Sequence, residues 1–106
     1  MSLKWPNKDP DEILDYSIDW SRFLSGATLS SVTWFVDDAA GVKTQLIPSG
    51  QLVKGIQLIS ATNTDKVATA RLGSGDNNIE YQFYCRIADT NGLVVERKVR
   101  LRVRNK

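Results

Sequence analysis

The acidic residues near the N-terminus are the first candidates for chemistry, because paired carboxylates can act as general acid and base. Asp15 and Asp19 both lie on the outward face of an alternating segment. A strand would hold them about 13 Å apart, which exceeds the separation of the carboxylate pair in glycoside hydrolysis. No GxSxG, HExxH or nucleotide fingerprint occurs in the sequence. We therefore predict that the protein is not an enzyme.

Metal and cofactor chemistry has no better support. The chain has no histidine and one cysteine, Cys85, which removes structural zinc and a Cys-His dyad. Cys85 falls in an alternating apolar set, so we expect a small buried side chain. Asp37 and Asp38 lack the spaced oxygen ligands of a calcium loop, and the Gly-Ser-Gly of residues 73–75 lacks the lysine and helix of a phosphate loop. We predict no metal, no cofactor and no small-molecule substrate.

The strongest chemical feature is a basic row near the C-terminus. Its members alternate with apolar residues and are Lys98, Arg100, Arg102 and Arg104. In a strand they would follow one another in steps of about 6.7 Å on one face. Such a row can be a solvated face that discourages edge pairing, or it can bind an acidic protein or nucleic acid. The net charge is only +2 and no exposed aromatics are interleaved with the arginines, so of the two binding interpretations we favour an acidic protein.

The basic row belongs to a predicted β-hairpin over residues 79–103. In both arms apolar residues recur at nearly every second position, and Arg97 is the interruption. Period two indicates strands that bury one face. Between the arms, Asn91-Gly92 supplies the positive-φ residues that a tight turn needs.

The rest of the chain also shows strand patterns and no convincing helix. Further strands are predicted over residues 12–20, 29–36, 42–47, 52–61 and 66–72. Gly55 indicates a β-bulge in the fourth of these, and residues 66–72 fit two alternative phases. About seven strands with turns every 8 to 12 residues predict an all-β antiparallel sandwich.

The hairpin also resembles the last strand pair of immunoglobulin-like domains. The resemblance rests on Phe83-Tyr84-Cys85, which precedes the last strand, and on Trp34 as a core tryptophan. There is no second cysteine, and Phe83 stands where the corner tyrosine of that fold would be. The fold class that we predict is therefore an immunoglobulin-like antiparallel β-sandwich.

The chain length of 106 residues indicates one domain of ordinary globular composition. We assign residues 1–11 to an extended N-terminal arm and residues 12–106 to a single β-sandwich domain. No stretch approaches the roughly 18 apolar residues of a membrane helix. The N-terminus has no apolar signal-peptide core, so we expect a soluble protein made in the cytoplasm.

The arm is the least regular part of the sequence. Pro6 and Pro10 favour an irregular or polyproline-like course rather than a helix. Trp5 is its one large apolar side chain, which either tucks back onto the domain or docks into a neighbouring subunit.

Charge is distributed unevenly along the chain. Residues 1–50 hold seven acidic and four basic residues, whereas residues 51–106 hold five acidic and ten basic ones. Opposite charges in the two halves suit contact within the fold or head-to-tail contact between copies.

The N-terminal third combines Trp-Pro-x-Lys-Asp-Pro with a Leu-Asp-Tyr motif. The residues of this combination are Trp5-Pro6, Lys8-Asp9-Pro10, Leu14-Asp15-Tyr16, Ile18-Asp19-Trp20, Gly26, Ser31 and Trp34. Here the chain resembles the phage fibre-tail adaptor proteins, small tail-associated proteins of tailed bacteriophages and prophages. The later strand pair, with Tyr81 and the Asn91-Gly92 turn, is similar too. Residues 42–75 carry no matching motif, and Ala27 stands where the family commonly has an acidic residue.

This resemblance implies a non-catalytic virion component of the tail, which joins tail and fibre subunits by protein–protein contacts. Its partners would be tail or fibre proteins and copies of itself in a ring, without nucleic acid or membrane. We expect the interface at Trp5, Pro6, Asp9, Asp11, Lys98, Arg100, Arg102 and Arg104. The alternative is a carbohydrate-binding or cell-surface-binding β-sandwich module, which rests on fold analogy alone.

Overall fold

The computed structural model describes residues 3–105, which form eight β-strands and one helical turn. The strands are β1 (Leu3–Lys4), β2 (Leu14–Asp19), β3 (Leu29–Asp37), β4 (Lys43–Gln45), β5 (Ile56–Asn63), β6 (Val67–Ser74), β7 (Ile79–Asp89) and β8 (Val94–Val103). The helical turn, α1 (Ser21–Leu24), stands between β2 and β3.

The strands form two packed sheets. The larger sheet has the order β1-β8-β7-β3-β4, and the smaller sheet has the order β2-β6-β5. Neighbouring strands are antiparallel except for β1 and β8, which are parallel. The protein is therefore mostly β, as predicted, and the described residues form one strand more than the seven or so expected.

The additional strand lies in the arm. The sequence predicts an irregular arm, but Leu3–Lys4 pairs in parallel with β8 and Lys8 makes a further bridge to Val103. The physical reason is that β8 would otherwise expose an unpaired row of backbone N–H and C=O groups. The arm supplies partners for this edge.

The predicted hairpin is confirmed as β7 and β8, which pair in one continuous register over ten residue pairs. The Asp89 carboxylate closes the turn by accepting the backbone N–H groups of Asn91 and Leu93, and Gly92 adopts a left-handed φ of +85°. The inward side chains of the hairpin are buried: Tyr81, Phe83, Cys85, Ile87, Val99, Leu101 and Val103.

The predicted bulge in the middle of the chain is real but lies elsewhere. Gly55 has a φ of +88° in the turn before β5, and the register shift falls between Leu58 and Ser60. Ile59, the extra residue, packs over Gly73 of β6. A Cβ on Gly73 would lie 2.7 Å from the Ile59 Cδ1 atom, so the glycine makes room for the bulge.

The core between the sheets combines large rings on one side with small side chains on the other. Trp34, Tyr81 and Phe83 project from the larger sheet and are fully buried. Ala68 and Ala70 of β6 are buried opposite them, which selects the first of the two phases considered for this strand. Small residues on one layer leave the volume that the rings of the other layer fill.

The Tyr81 hydroxyl links two connecting loops to β7. It donates a hydrogen bond to the Lys54 carbonyl oxygen at 2.6 Å and accepts one from the Asp76 N–H at 2.9 Å. Burial raises the pKa of this hydroxyl, so it remains protonated and able to donate. The side chain therefore satisfies two backbone groups that lie far apart in the sequence.

Replacing Tyr81 with Phe should lower the free energy of unfolding by about 1–3 kcal/mol, because two backbone groups beside a buried ring lose their partner. Urea unfolding measures the change. Tyr84→Phe is the matched control, since the Tyr84 hydroxyl lies on the outer face, where water can replace it beside Asp37. A loss for Tyr81→Phe no larger than the loss for Tyr84→Phe would contradict this role.

Candidate protein-binding site

The basic row lies on the outer face of the larger sheet. Lys98, Arg100 and Arg102 project outward from β8 because the residues between them point into the core. Arg104 follows one residue after the strand and is exposed. The structure thus places the predicted basic residues in one line along the β8 edge of the sheet.

Few carboxylates neutralise this row. Among the described residues, one ion pair includes a member of the row. It joins Arg100 Nη1 to Glu80 Oε1 at 3.6 Å, and both side chains are more than 40% exposed. An exposed pair of this kind contributes at most about 1 kcal/mol. The Nε atom of Arg102 is buried and has no hydrogen-bond partner among the described residues. The row therefore keeps most of its positive charge available.

The other half of the same face is less positive, because two cations there share one carboxylate. Lys43 and Arg86 share the carboxylate of Glu96, at 2.9 and 3.1 Å. Although burial raises the pKa of Glu96, the hydrogen bond from Lys43 and the charge of Arg86 outweigh it, and the pKa is lowered overall. These charges are committed to contacts within the chain.

Positive charge is consequently concentrated beside β1, where Lys4 lies next to Arg100 in the parallel register. We call this region the positive half of the face. It consists of Lys4, Lys98, Arg100, Arg102 and Arg104.

A buried aromatic ring lies beneath Lys98 of the positive half and the neighbouring Lys43. The ring centre of Tyr84 is 5.1 Å from the Lys43 Nζ atom and 6.0 Å from the Lys98 Nζ atom. Only 9% of Tyr84 is exposed, so its ring supports the aliphatic parts of the lysines and offers little surface for stacking.

Trp5 packs into the core of its own chain. Its ring centre lies 4.9 Å from that of Tyr16, 5.8 Å from that of Trp34 and 5.6 Å from that of Phe83. The indole N–H donates to the Ser17 carbonyl oxygen at 3.1 Å. The structure agrees with the first of the two interpretations of Trp5, in which the side chain tucks back onto its own domain. Only 7% of the residue is exposed.

Lys8 anchors the arm to the sandwich, a role that sequence reasoning missed. Its side chain is fully buried, and Nζ donates to the carbonyl oxygens of Asp9 and Ser74. Its backbone also bonds to the end of β8. The Lys8 N–H donates to the Arg102 carbonyl oxygen, and the Lys8 carbonyl oxygen accepts the Arg104 N–H. No periodicity in the arm signals this burial. The only available signal was its place in the Trp-Pro-x-Lys-Asp-Pro motif.

The remaining arm residues of the predicted interface stay at the surface. Pro6 and Asp11 are exposed, and Asp9 is half-buried in a turn where its carboxylate accepts the N–H of Asp11. The Glu12 side chain in turn accepts the N–H of Asp9. Lys8 is hydrogen-bonded to the backbone of Arg104, and the acidic turn begins at the next residue, Asp9. The turn therefore lies beside the end of the positive half.

The described part of the chain offers no reactive centre. It contains no group of three potential metal-binding side chains, and none of its helices has the length and apolar character needed to cross a membrane. Cys85 is fully buried, and burial raises the pKa of its thiol to about 12.

Comparison with known protein families identifies the family of the chain. The family described as podophage GP4 fiber-tail adaptor protein gp77 matches residues 8–102. The chain belongs to this family. The adaptor is therefore a structural component of a podophage tail, located in the virion, and it is not an enzyme. No curated protein matches the chain.

The matched residues of the adaptor include the strands of both sheets from β2 to nearly the end of β8. The motif residues that carried the resemblance now have physical roles. Lys8 and Tyr16 pack the arm onto the sandwich, and Trp20 and Trp34 fill the core. An adaptor between tail and fibres must bind tail or fibre proteins.

The buried thiol of Cys85 makes the stability of the adaptor depend on alkaline pH. Because the folded protein raises the thiol pKa from 9.0 to about 12, the unfolded state loses the proton first. The thiol's contribution to stability is therefore complete below about pH 9 and is lost as the pH rises toward 12, by up to about 1.4 kcal/mol per pH unit. Cys85→Ala should show a shallower decline than the unmodified protein.

The measurement is the free energy of unfolding of both proteins at several alkaline pH values. Tyr16, with a pKa raised by burial to about 12, contributes to the decline in both proteins and cancels in the comparison. Parallel declines would show that the thiol does not contribute.

Proposed function

We propose that the adaptor binds an acidic surface of a tail or fibre protein through the positive half of its larger sheet. The observation that carries this proposal is the uneven charge of the face. The two cations near β4 share the Glu96 carboxylate, whereas the five cations of the positive half have only the exposed Arg100–Glu80 ion pair among the described residues. An unneutralised row steers an acidic partner toward it and fixes the orientation of the complex.

We also propose that the exposed part of the arm contributes to the interface through Pro6, Asp9 and Asp11. These residues follow the positive half closely, so a partner lying on the sheet would meet them as well. Trp5 would act from the core by holding the arm in place. Its direct contact with a neighbour would require the arm to leave β8.

A ring of copies is a further part of this proposal. The acidic turn at Asp9 and Asp11 and the basic row carry opposite charges on one chain. Head-to-tail contact between copies can join such surfaces, and heterologous contacts of this kind close into rings when the rotation between copies permits.

The immunoglobulin-like character of the sandwich also stays a proposal. Its support is the order β8-β7-β3 in one sheet and β2-β6-β5 in the other, which corresponds to the G-F-C and B-E-D strands of that fold. Trp34 and Cys85 are opposite each other on β3 and β7. Tyr81 makes a hydrogen bond to the backbone five residues upstream, as a corner tyrosine would, although it stands two residues before Phe83.

The carbohydrate-binding alternative finds less support. Sugar stacking needs exposed aromatic faces, but Trp5, Trp20 and Trp34 are all buried in the core. The tryptophans of the isolated adaptor should therefore be protected from an aqueous quencher.

The triple change Lys98→Glu, Arg100→Glu and Arg102→Glu should abolish incorporation of the adaptor into virions. Reversing three charges replaces attraction by repulsion, which we expect to weaken binding by well over tenfold, or about 1.4 kcal/mol. The variant should remain folded, because all three side chains lie on the outer face. Counting adaptor and fibre proteins in purified particles measures the effect.

The matched control is Lys43→Glu, Lys66→Glu and Arg71→Glu, which changes the net charge equally away from the positive half. Circular dichroism checks that both variants fold. Normal particles from the first variant would reduce the basic row to a solvated face, and an equal defect in the control would assign the effect to net charge.

A further inference from the structure

A second surface, which shares Lys4 with the positive half, runs along the open side of the sandwich. Three depressions with volumes of about 280, 300 and 420 Å³ lie end to end there. The first two share Leu3, Ile18 and Asp19, and the last two share Trp5 and Ser17. They therefore form one continuous depression, which we call the lateral groove.

The arm and the edge strand β2 form the two walls of the lateral groove. They run in opposite directions, since Leu3 lies near Asp19 at one end and Pro6 lies near Leu14 at the other. The Trp5 ring forms the floor between them. Among the described residues, the walls are joined by side-chain hydrogen bonds to backbone and not by a β-ladder, so no described strand pairs with this edge of β2.

The backbone groups of β2 that point away from β6 face this groove. The Ser17 carbonyl oxygen accepts the Trp5 indole N–H, so the backbone of Ser17 points away from β6. Because backbone direction alternates along a strand, the N–H and C=O groups of Asp15 and Asp19 point the same way. The Ser17 and Thr69 hydroxyls lie 2.7 Å apart, as expected for a pair without ladder hydrogen bonds. Such an edge is a template for one more strand.

One end of the lateral groove carries positive charge above an apolar floor. Arg22 and Arg97 line it together with Trp20 and Phe23, and the Arg97 guanidinium lies 5.5 Å from the Trp20 ring centre. Neither arginine takes part in an ion pair of the described residues. The one acid of this end, Asp19, is engaged by the Ser21 N–H.

We propose that the lateral groove binds an extended segment of a tail or fibre protein. The segment pairs with β2 and places an acidic side chain between Arg22 and Arg97, with a large apolar side chain over Trp20 and Phe23. Backbone pairing holds the segment, and the carboxylate fixes its direction in the groove. The six residues of β2 span about 20 Å, enough for five or six residues of a partner. This inference rests on the family's role as adaptor and not on the positive half.

The probe is a synthetic peptide of sequence Phe-Thr-Glu-Thr-Val-Thr-Val-Thr, in which Phe and Glu lie on the same face of an extended chain. Its matched control has Lys in place of Glu. We expect the Glu peptide to shift the amide resonances of Asp15, Ser17 and Asp19 and the indole resonance of Trp5 in the full chain. The amide protons of Asp15 and Asp19 should also exchange more slowly with solvent. The Lys peptide should bind at least about tenfold more weakly, because it meets two like charges.

The double variant Arg22→Glu and Arg97→Glu provides the decisive test, since it should prefer the Lys peptide over the Glu peptide. If the substitutions only distorted the groove, the variant would bind both peptides more weakly and by the same factor. Lys98→Glu with Arg100→Glu is the matched control and should bind the Glu peptide as the unmodified adaptor does. This control separates the inference from the proposed function, since it alters the positive half and leaves the lateral groove intact.

Three results would overturn the inference. The first is the absence of any shift at about 1 mM peptide, the weak limit of specific binding. The second is an unchanged peptide preference in the double variant. The third is a concentration-dependent shift of the β2 resonances without peptide, accompanied by a dimer in sedimentation, which would make a second copy of the chain the occupant of the groove.

Discussion

The packing of Trp5 between the edges of the two sheets is the contact on which the rest of the structure depends. Its ring touches Phe83 and Trp34 of the larger sheet and Tyr16 of the smaller one, while its indole N–H holds the edge of β2. Burying one tryptophan contributes roughly 2–3 kcal/mol. This is enough to hold a short arm that has only a few backbone hydrogen bonds of its own. With the arm fixed, the edge of β8 is paired, and its charged face keeps one orientation.

Sequence periodicity predicts the parts of the fold in which one face is buried and the other is not. The hairpin of β7 and β8 follows directly, because a one-residue slip would turn its entire apolar set toward water. The arm has no such signal, since its role depends on two isolated residues, Trp5 and Lys8, whose burial needs partners far away in the sequence. The position of the bulge at Ile59 could not be predicted from the sequence either, because it depends on the room that Gly73 leaves on the neighbouring strand.

The candidate interface was partly predictable for a similar reason. Alternation places Lys98, Arg100 and Arg102 on one face, whatever the rest of the fold does. Their lack of neutralising partners, however, depends on which strands lie beside β8, and the sequence does not give strand order. Glu96 illustrates the point, since it lies on the same strand as the row but is committed to Lys43 and Arg86 from β4 and β7. Net charge over the whole chain conceals this division.

The distribution of strand edges explains why the two surfaces of the adaptor differ. The β8 edge is covered by the arm, β4 is only three residues long, and the Ser49 N–H occupies the Leu58 carbonyl oxygen on the β5 edge. These features leave β2 as an edge strand that pairs with no further strand among the described residues. An uncovered edge invites pairing with any strand. On β2, however, the outward side chains include Asp15 and Asp19, and the Trp5 indole already occupies one carbonyl oxygen. A partner strand must therefore match the charges of this edge as well as its backbone groups. This requirement would restrict pairing at an open edge to a selected partner.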